Sequence, residues 1–569
     1  MGRRARGDIE PIIEALERVR TRFGAHAARD KLDLLERAAR IPTMSPRAAL
    51  AYHELLLFCA AYPDCVSVRR LARAELERVA EMARGLVGAT SGSRRMLGDS
   101  GVAHTVSRVS FTLEMASWLT ERFPDDVELA WNGESAGEAL DEFLPLLMAR
   151  VERDGMMNEA ISTREWIVSA RGRGHASDAA WLLEQCRRLA ASPELLEQLY
   201  EPLELCFDWR LSDPIASRTF NRFPSRRIAY QRTDLERRTD PKRWLDVPLS
   251  PVRPLPGKQA RELIEIGRAA VGVRGRETDA LTYAHPEEVL LVALGRGLDL
   301  AVFGLRPERR LPIESFFGFV LAKNRVPIGY GGGWVFFDRL EIGANIFDTF
   351  RGGESAFAFA QILRAYRQLF GVRVALVDPY QFGAGNPEAI RSGAFWFYYR
   401  LGFRPIEPKL CELAAEQWRL VLADRAYRTP ARVLRRLARA RLRLPLESGA
   451  EQARLPPDVA DLGLAVSRRI GDEHAGDRHA ARRREARRLA RILGAERIAS
   501  WSAPERQAFE RLSLLVGLID DLLSWTPADK KRLLRTMRAK GCPQERRYVT
   551  ALGGHASLRA AWEKTLRTG

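Results

Sequence analysis

Two short stretches of the chain hold side chains able to do chemistry. The first is Phe350-Arg351-Gly352-Gly353-Glu354-Ser355-Ala356, which follows an apolar run at 340–347 and opens an amphipathic run at 355–370. A strand that feeds a glycine-containing turn into a helix start gathers free backbone N–H groups and the positive end of the helix dipole at one spot. That is an anion site, suited to a pyrophosphate. The second stretch is Phe397-Tyr398-Tyr399-Arg400-Leu401-Gly402-Phe403-Arg404-Pro405. It ends a short helix predicted at 393–400 with glycine at the C-cap, and it puts a phenol near the same end of the sheet.

The elements that must position these groups read clearly between 258 and 403. A helix is predicted at 258–271. Apolar runs at 288–294 and 298–305 are split by Gly295-Arg296-Gly297, and those at 316–322 and 328–337 by Lys323-Asn324-Arg325, so each pair reads as a hairpin. A strand follows at 340–347, then a long helix at 355–370, a buried strand at 372–377, a glycine-rich loop at 381–386 and the helix at 393–400. The order of one helix, strands in hairpins, then helix, strand and helix predicts an α+β domain with a mixed sheet.

In this order of elements the two stretches resemble the GCN5-related N-acetyltransferase (GNAT) superfamily, whose members transfer an acyl group from acyl-CoA, usually to an amine. The family's pyrophosphate loop, R/Q-x-x-G-x-G/A, is matched by Arg351 at its first position and Ala356 at its last, with Gly352 in the commonly seen place after the Arg. Its late signature, an aromatic or aliphatic residue followed by Tyr-x-x-Leu-Gly-Phe, is matched by Phe397, Tyr398, Leu401, Gly402 and Phe403. The hairpin FFGFVLAKNRVPIGYGGG is similar to the family's second and third strands. The resemblance covers about 258–408. It implies acetyl-CoA or another acyl-CoA as co-substrate, an amine acceptor, and Tyr398 as the general acid that protonates the leaving thiolate. The implied cofactor contacts are Ile346, Phe347, Arg351, Gly352, Gly353, Glu354, Ser355, Ala356 and Asn386. Glu341 and Asp348, on or beside the central strand, are the general-base candidates, and strand amides around 346–348 could polarise the thioester carbonyl. Two positions depart from the pattern. Glu354 stands where the loop usually has its central glycine, and Arg391 stands where an Asn often precedes the Tyr by seven residues. Gly352 and Gly353 give the turn freedom to rotate the Glu354 carboxylate outward, leaving the amides open, which is the expectation; turned inward it would occupy the site, and poor CoA binding, as in a lapsed enzyme, would follow.

The remainder of the chain is expected to be helical. The predicted division is an all-helical region at 1–237, a proline-rich linker at 238–257, the GNAT-like domain at 258–408, a basic helical extension at 409–445, a linker at 446–461 and a helical region at 462–569. Ser45-Pro46, Ser192-Pro193 and Thr526-Pro527 are predicted helix starts. His474 and His479, near Asp472, Glu473 and Asp477, could act as ligands, but they fall in a polar, linker-like stretch and no metal is expected. Six scattered cysteines without CxxC spacing exclude a disulfide scaffold, and no apolar run is long enough to cross a bilayer. The N-terminus has no apolar signal segment, so a cytoplasmic, multidomain protein is expected. The net charge of +18 over 569 residues comes mostly from arginine, in a composition typical of GC-rich bacterial genomes. A solvated basic surface is favoured over nucleic-acid binding through the arginine-rich stretch at 482–491. The alternative to an enzyme is a lapsed GNAT-like domain in a helical binding or scaffolding protein.

Overall fold

The computed structural model describes residues 9–131, 134–156, 161–174, 177–189, 192–225, 227–449 and 454–568. Residues 450–453 of the expected linker lie outside the described residues. The chain divides into two compact units: 1–234 with 262–282 and 323–327, and 235–261 with 283–322 and 328–569. Among the described residues, no helix is long and apolar enough to cross a membrane.

The first unit begins with helices Glu10–Val19, Ala25–Ala39, Pro46–Ala61 and Val66–Ala89. Ser45 caps its helix as predicted, its hydroxyl accepting from the Ala48 amide at 3.1 Å. The region is not all-helical, however. Val106–Ser110 (β1), Val127–Leu129 (β2) and Cys206–Arg210 (β3) form an antiparallel sheet in the order β1-β3-β2. Its central strand contributes Phe207 and Trp209, both fully buried, to a core shared with the surrounding helices. These strands are three to five residues long, too short for alternation to stand out from flanking helical patterns.

The second unit is built on an eight-stranded mixed sheet. Its strands are Ala284–Gly295 (β4), Leu298–Leu305 (β5), Ser315–Lys323 (β6), Val326–Phe336 (β7), Arg339–Ile346 (β8), Val374–Val377 (β9), Arg404–Pro405 (β10) and Leu442–Pro445 (β11). They lie in the order β10-β11-β9-β8-β7-β6-β5-β4. The tips of both predicted hairpins are two-residue turns with left-handed φ, at Arg296 and Gly297 (51° and 74°) and at Asn324 and Arg325 (49° and 76°). That conformation matches the twist of the paired strands.

The expected basic helical extension is partly overturned. Its helix ends at Leu437, and residues 442–445 instead form β11, inserted between β9 and β10. The segment Leu442-Arg443-Leu444 alternates with period two: both leucines are buried, while Arg443 is half-buried on the other face. Four residues of alternation after a helix packed with arginines are easily read as that helix continuing.

The long helix Ser355–Phe370 has the predicted ends and packs on one face of the sheet. A Cβ on Gly333 would lie 2.6 Å from the Tyr366 ring and 2.7 Å from Leu340, so this glycine lets the ring rest directly on β7. The Tyr366 hydroxyl donates to the Phe317 carbonyl at 2.5 Å. The C-terminal helices belong to the same unit. Arg310, in the loop between β5 and β6, donates to the carbonyls of Lys540, Cys542 and Pro543 and pairs with the fully buried Glu545 at 3.4 Å. Lys540 closes the cluster against the same carboxylate.

Candidate functional site

The site centres on the parallel pair β8–β9. These strands align over only three residue pairs, Arg339↔Val374, Leu340↔Ala375 and Glu341↔Leu376. Beyond Glu341, β8 continues to Ile346 in register with β7 (Gly329↔Ile346), while β9 ends at Val377 and turns into a short 3-10 helix, Pro379–Phe382. A gap therefore opens between 342–346 and the chain after β9. Gln381 lies across it: a Cβ on Gly343 would be 3.0 Å from its side-chain nitrogen. A crevice at the carboxyl ends of parallel strands is where open α/β sheets commonly take their ligands.

At the head of this gap the chain passes through a 3-10 turn, Asp348–Phe350, into the Ser355–Phe370 helix. The first amide with an intrahelical acceptor is that of Ala358, bonded to the Glu354 carbonyl at 2.8 Å. No side-chain cap covers the helix start. The predicted geometry, a glycine turn delivering free amides at a helix N-terminus, is present.

Glu354 departs from its expected orientation. It is 2% exposed and turned inward, where its carboxylate accepts from the Arg296 guanidinium at 2.5 Å and from the Glu236 amide at 3.1 Å. Arg296 also reaches Glu236 at 2.9 Å. The rotation that clears the helix amides is thus toward the interior, because a cation and a backbone donor wait there.

The other predicted contacts fall in distinct places. Arg351 is exposed and held by Asp348 at 2.9 Å, by Glu388 at 3.2 Å and by the Ile346 carbonyl at 3.3 Å. Asp348 itself is largely in solvent. The Phe347 amide is already bonded to the Ile328 carbonyl at 2.9 Å and is not open to polarise a thioester. Ser355 donates from its hydroxyl to the Arg351 carbonyl. Asn386 caps the helix Pro387–Ser392: its side-chain oxygen accepts from Ala389 and its amide donates to the Tyr380 carbonyl, both at 3.1 Å.

Tyr398 is 4% exposed and ringed by Phe359, Phe382, Phe397 and Phe403, with centroids 5.3–6.2 Å away. Burial pushes its phenol well above the usual range, so it stays protonated at neutral pH. Its hydroxyl has no hydrogen-bond partner among the described residues. Phe359 lies one turn from the helix start, and Phe382 follows the Gln381 that spans the gap.

Glu341 occupies the last paired position before the strands part. It is half-buried and 3.5 Å from Arg441. Burial raises its carboxyl, an effect that Arg441 and Arg339 oppose and Asp378 reinforces. Gly333 and Leu340 meet the Ser355–Phe370 helix, so Glu341, one residue on, points to the opposite face. Tyr398, packed on Phe359 of that helix, lies on the helix side. The two residues thus lie on opposite faces of the sheet.

Two further groupings stand out, the first not foreseen and the second joining Glu485 to the His474 and Glu473 already noted. In the first unit, Arg222 is enclosed by Arg73, Arg325 and Arg69, and desolvation with these like charges draws its pKa down to about 9. In the second, Glu473, His474 and Glu485 bring their ligand atoms within 4.8 Å of one another. Both carboxylates are already engaged, Glu473 by Arg469 at 3.1 Å and Glu485 by Arg488 at 2.8 Å. Comparisons with protein-family models, with curated proteins and with solved structures find no match to this chain.

Proposed function

We propose that the second unit is an acyl-CoA-dependent acyltransferase of the GNAT type, most simply an N-acetyltransferase. The observation that carries this reading is the parting of β8 from β9 immediately below an uncapped helix start. A thioester lying in that gap is accessible from both faces of the sheet. The amides at 355–357, cleared of the Glu354 carboxylate, would receive the pyrophosphate, with Arg351 at the rim. Glu341, raised by burial toward the range of a useful base, would take the proton of the attacking amine. The C–S bond then breaks, and Tyr398 gives its proton to the leaving thiolate. Titration calorimetry of the full chain with acetyl-CoA and longer acyl-CoAs tests the reading. Saturable binding, followed by amine-dependent release of free thiol, is the expected result. Absence of any heat with every acyl-CoA would overturn it.

A second reading is supported by Arg351. Its guanidinium is shared between two carboxylates and a carbonyl, a pattern suited to bracing the loop rather than binding phosphate. A lapsed GNAT-like domain, with the helical parts of the chain serving binding or scaffolding, would show that pattern. It predicts CoA affinity no tighter than that of an unrelated nucleotide.

A further inference from the structure

A cavity of about 1120 Å³ in the second unit has none of the groups assigned to acyl transfer in its lining. Its walls come from residues 238–243 at the start of helix Lys242–Leu245, from the end of helix Ala394–Arg400 running into β10, from β11 and from Leu455. These bring together Arg238, Lys242, Arg243, Arg400, Arg404 and Arg443. Against six cations the lining holds one acid, Asp240, whose carboxylate accepts from the Lys242 backbone amide at 3.0 Å. Among the described residues, no carboxylate pairs with Arg238, Lys242, Arg243 or Arg400. Elsewhere in this unit arginines are routinely matched by acids, as Arg296, Arg339, Arg367 and Arg373 are.

The cluster is also organised. Arg404 donates to the carbonyls of Tyr399 and Phe403 at 2.9 and 2.8 Å and lies 3.9 Å over the Tyr399 ring, which fixes the guanidinium in place. Arg400 and Arg238 are close enough to repel, and burial and that repulsion disfavour the charged form of Arg400. Leucines and prolines complete the walls. Like charges held together in a concave, partly apolar site concentrate the field on whatever anion enters, and arginine forks match phosphate oxygens.

We infer that this cavity is a binding site for a small molecule bearing at least two phosphoryl groups. One phosphomonoester carries roughly −1.5 to −2 at neutral pH, too little to balance the four cations that no carboxylate pairs, whereas a diphosphate or triphosphate comes closer. The cavity's size leaves room for an organic portion against the leucines. A concave site with apolar walls favours a small molecule over a nucleic-acid backbone, which would track an open basic surface. The inference does not depend on the acyltransferase reading.

The test is calorimetry of the full chain at physiological salt with inorganic pyrophosphate, ATP and adenosine as probes. Wild type should bind pyrophosphate and ATP but not adenosine. Arg238→Glu and Arg400→Glu, both at exposed positions, should each weaken ATP by at least tenfold while leaving the melting temperature unchanged. Arg483→Glu, at an exposed position of the helix Arg478–Ile492 far along the chain, should leave ATP affinity as it is. Equal ATP affinity in all variants, or no binding in wild type, would overturn the inference. So would single-stranded RNA binding that is tighter than ATP and is lost in the same two variants, since that would make the patch a nucleic-acid surface.

Discussion

Arg296, at the tip of the β4–β5 hairpin, holds the carboxylate of Glu354 at the N-terminus of the Ser355–Phe370 helix, 2.5 Å away. A carboxylate at this place in the loop would ordinarily compete with phosphate for the helix amides. Here the salt bridge takes it out of that competition. Removing one partner strands the other: Glu354→Ala and Arg296→Ala should each cost about 2 kcal/mol, with the double variant costing less than the sum. Glu354→Gly should raise CoA affinity by less than about threefold. A gain beyond about thirtyfold, roughly 2 kcal/mol, would mean the native carboxylate blocks the site.

The Tyr398 hydroxyl has no partner among the described residues, so removing it should leave the fold nearly untouched. If it protonates the thiolate, Tyr398→Phe should lower kcat by about two orders of magnitude with little change in acyl-CoA affinity. Single-turnover kinetics alongside a melting curve separates the roles. A lowered melting temperature with unchanged turnover would make Tyr398 a packing residue only.

Much of the second unit was legible because its elements are long or sharply bounded. Two-residue turns join β4 to β5, β6 to β7 and β7 to β8, and the Ser355–Phe370 helix is closed by Gly371 in the left-handed conformation. What escaped was short or non-local. β11 is four residues long, and its place between β9 and β10 depends on pairing with residues far along the chain. The inward turn of Glu354 depends on Arg296 and Glu236, which are 58 and 118 residues away, and no local pattern encodes such partners. The helical spacing of Phe397 to Phe403 placed Tyr398 correctly in a short helix. That its ring would sit among four phenylalanines from several elements could be settled only by packing.

Glu341 offers a pH test. A general base must be deprotonated, so the rate should fall on the acid side as pH passes through its pKa. Because burial raises that pKa, the fall should begin above the ordinary carboxylate range. Arg441 and Arg339 oppose the shift, while Asp378 and Glu314 reinforce it. Arg441→Met should therefore move the acid limb of kcat/KM to higher pH, and Glu341→Gln should abolish it along with most of the rate. An acid limb that stays in place in Arg441→Met would remove Glu341 from the mechanism.

The acid stability of the second unit should be set in part by His555. Its ring is fully buried, and its Nδ1 accepts from the Leu558 amide at 3.3 Å, at the start of helix Ala556–Thr568. Only a neutral imidazole can accept there. Burial and the nearby Arg532 pull its pKa down to about 4, with Asp529 opposing and the Trp525 ring alongside. The unfolded chain, with an ordinary histidine pKa near 6.5, then binds a proton more readily than the folded one. Stability from this group is full above about pH 6.5 and is lost progressively as pH falls toward 4. Asparagine can accept the same amide bond at a helix start but does not titrate. Melting temperatures measured from pH 7 to pH 4 should therefore fall less steeply in His555→Asn than in wild type. Parallel curves would show that His555 keeps an ordinary pKa and that other groups govern the acid limb.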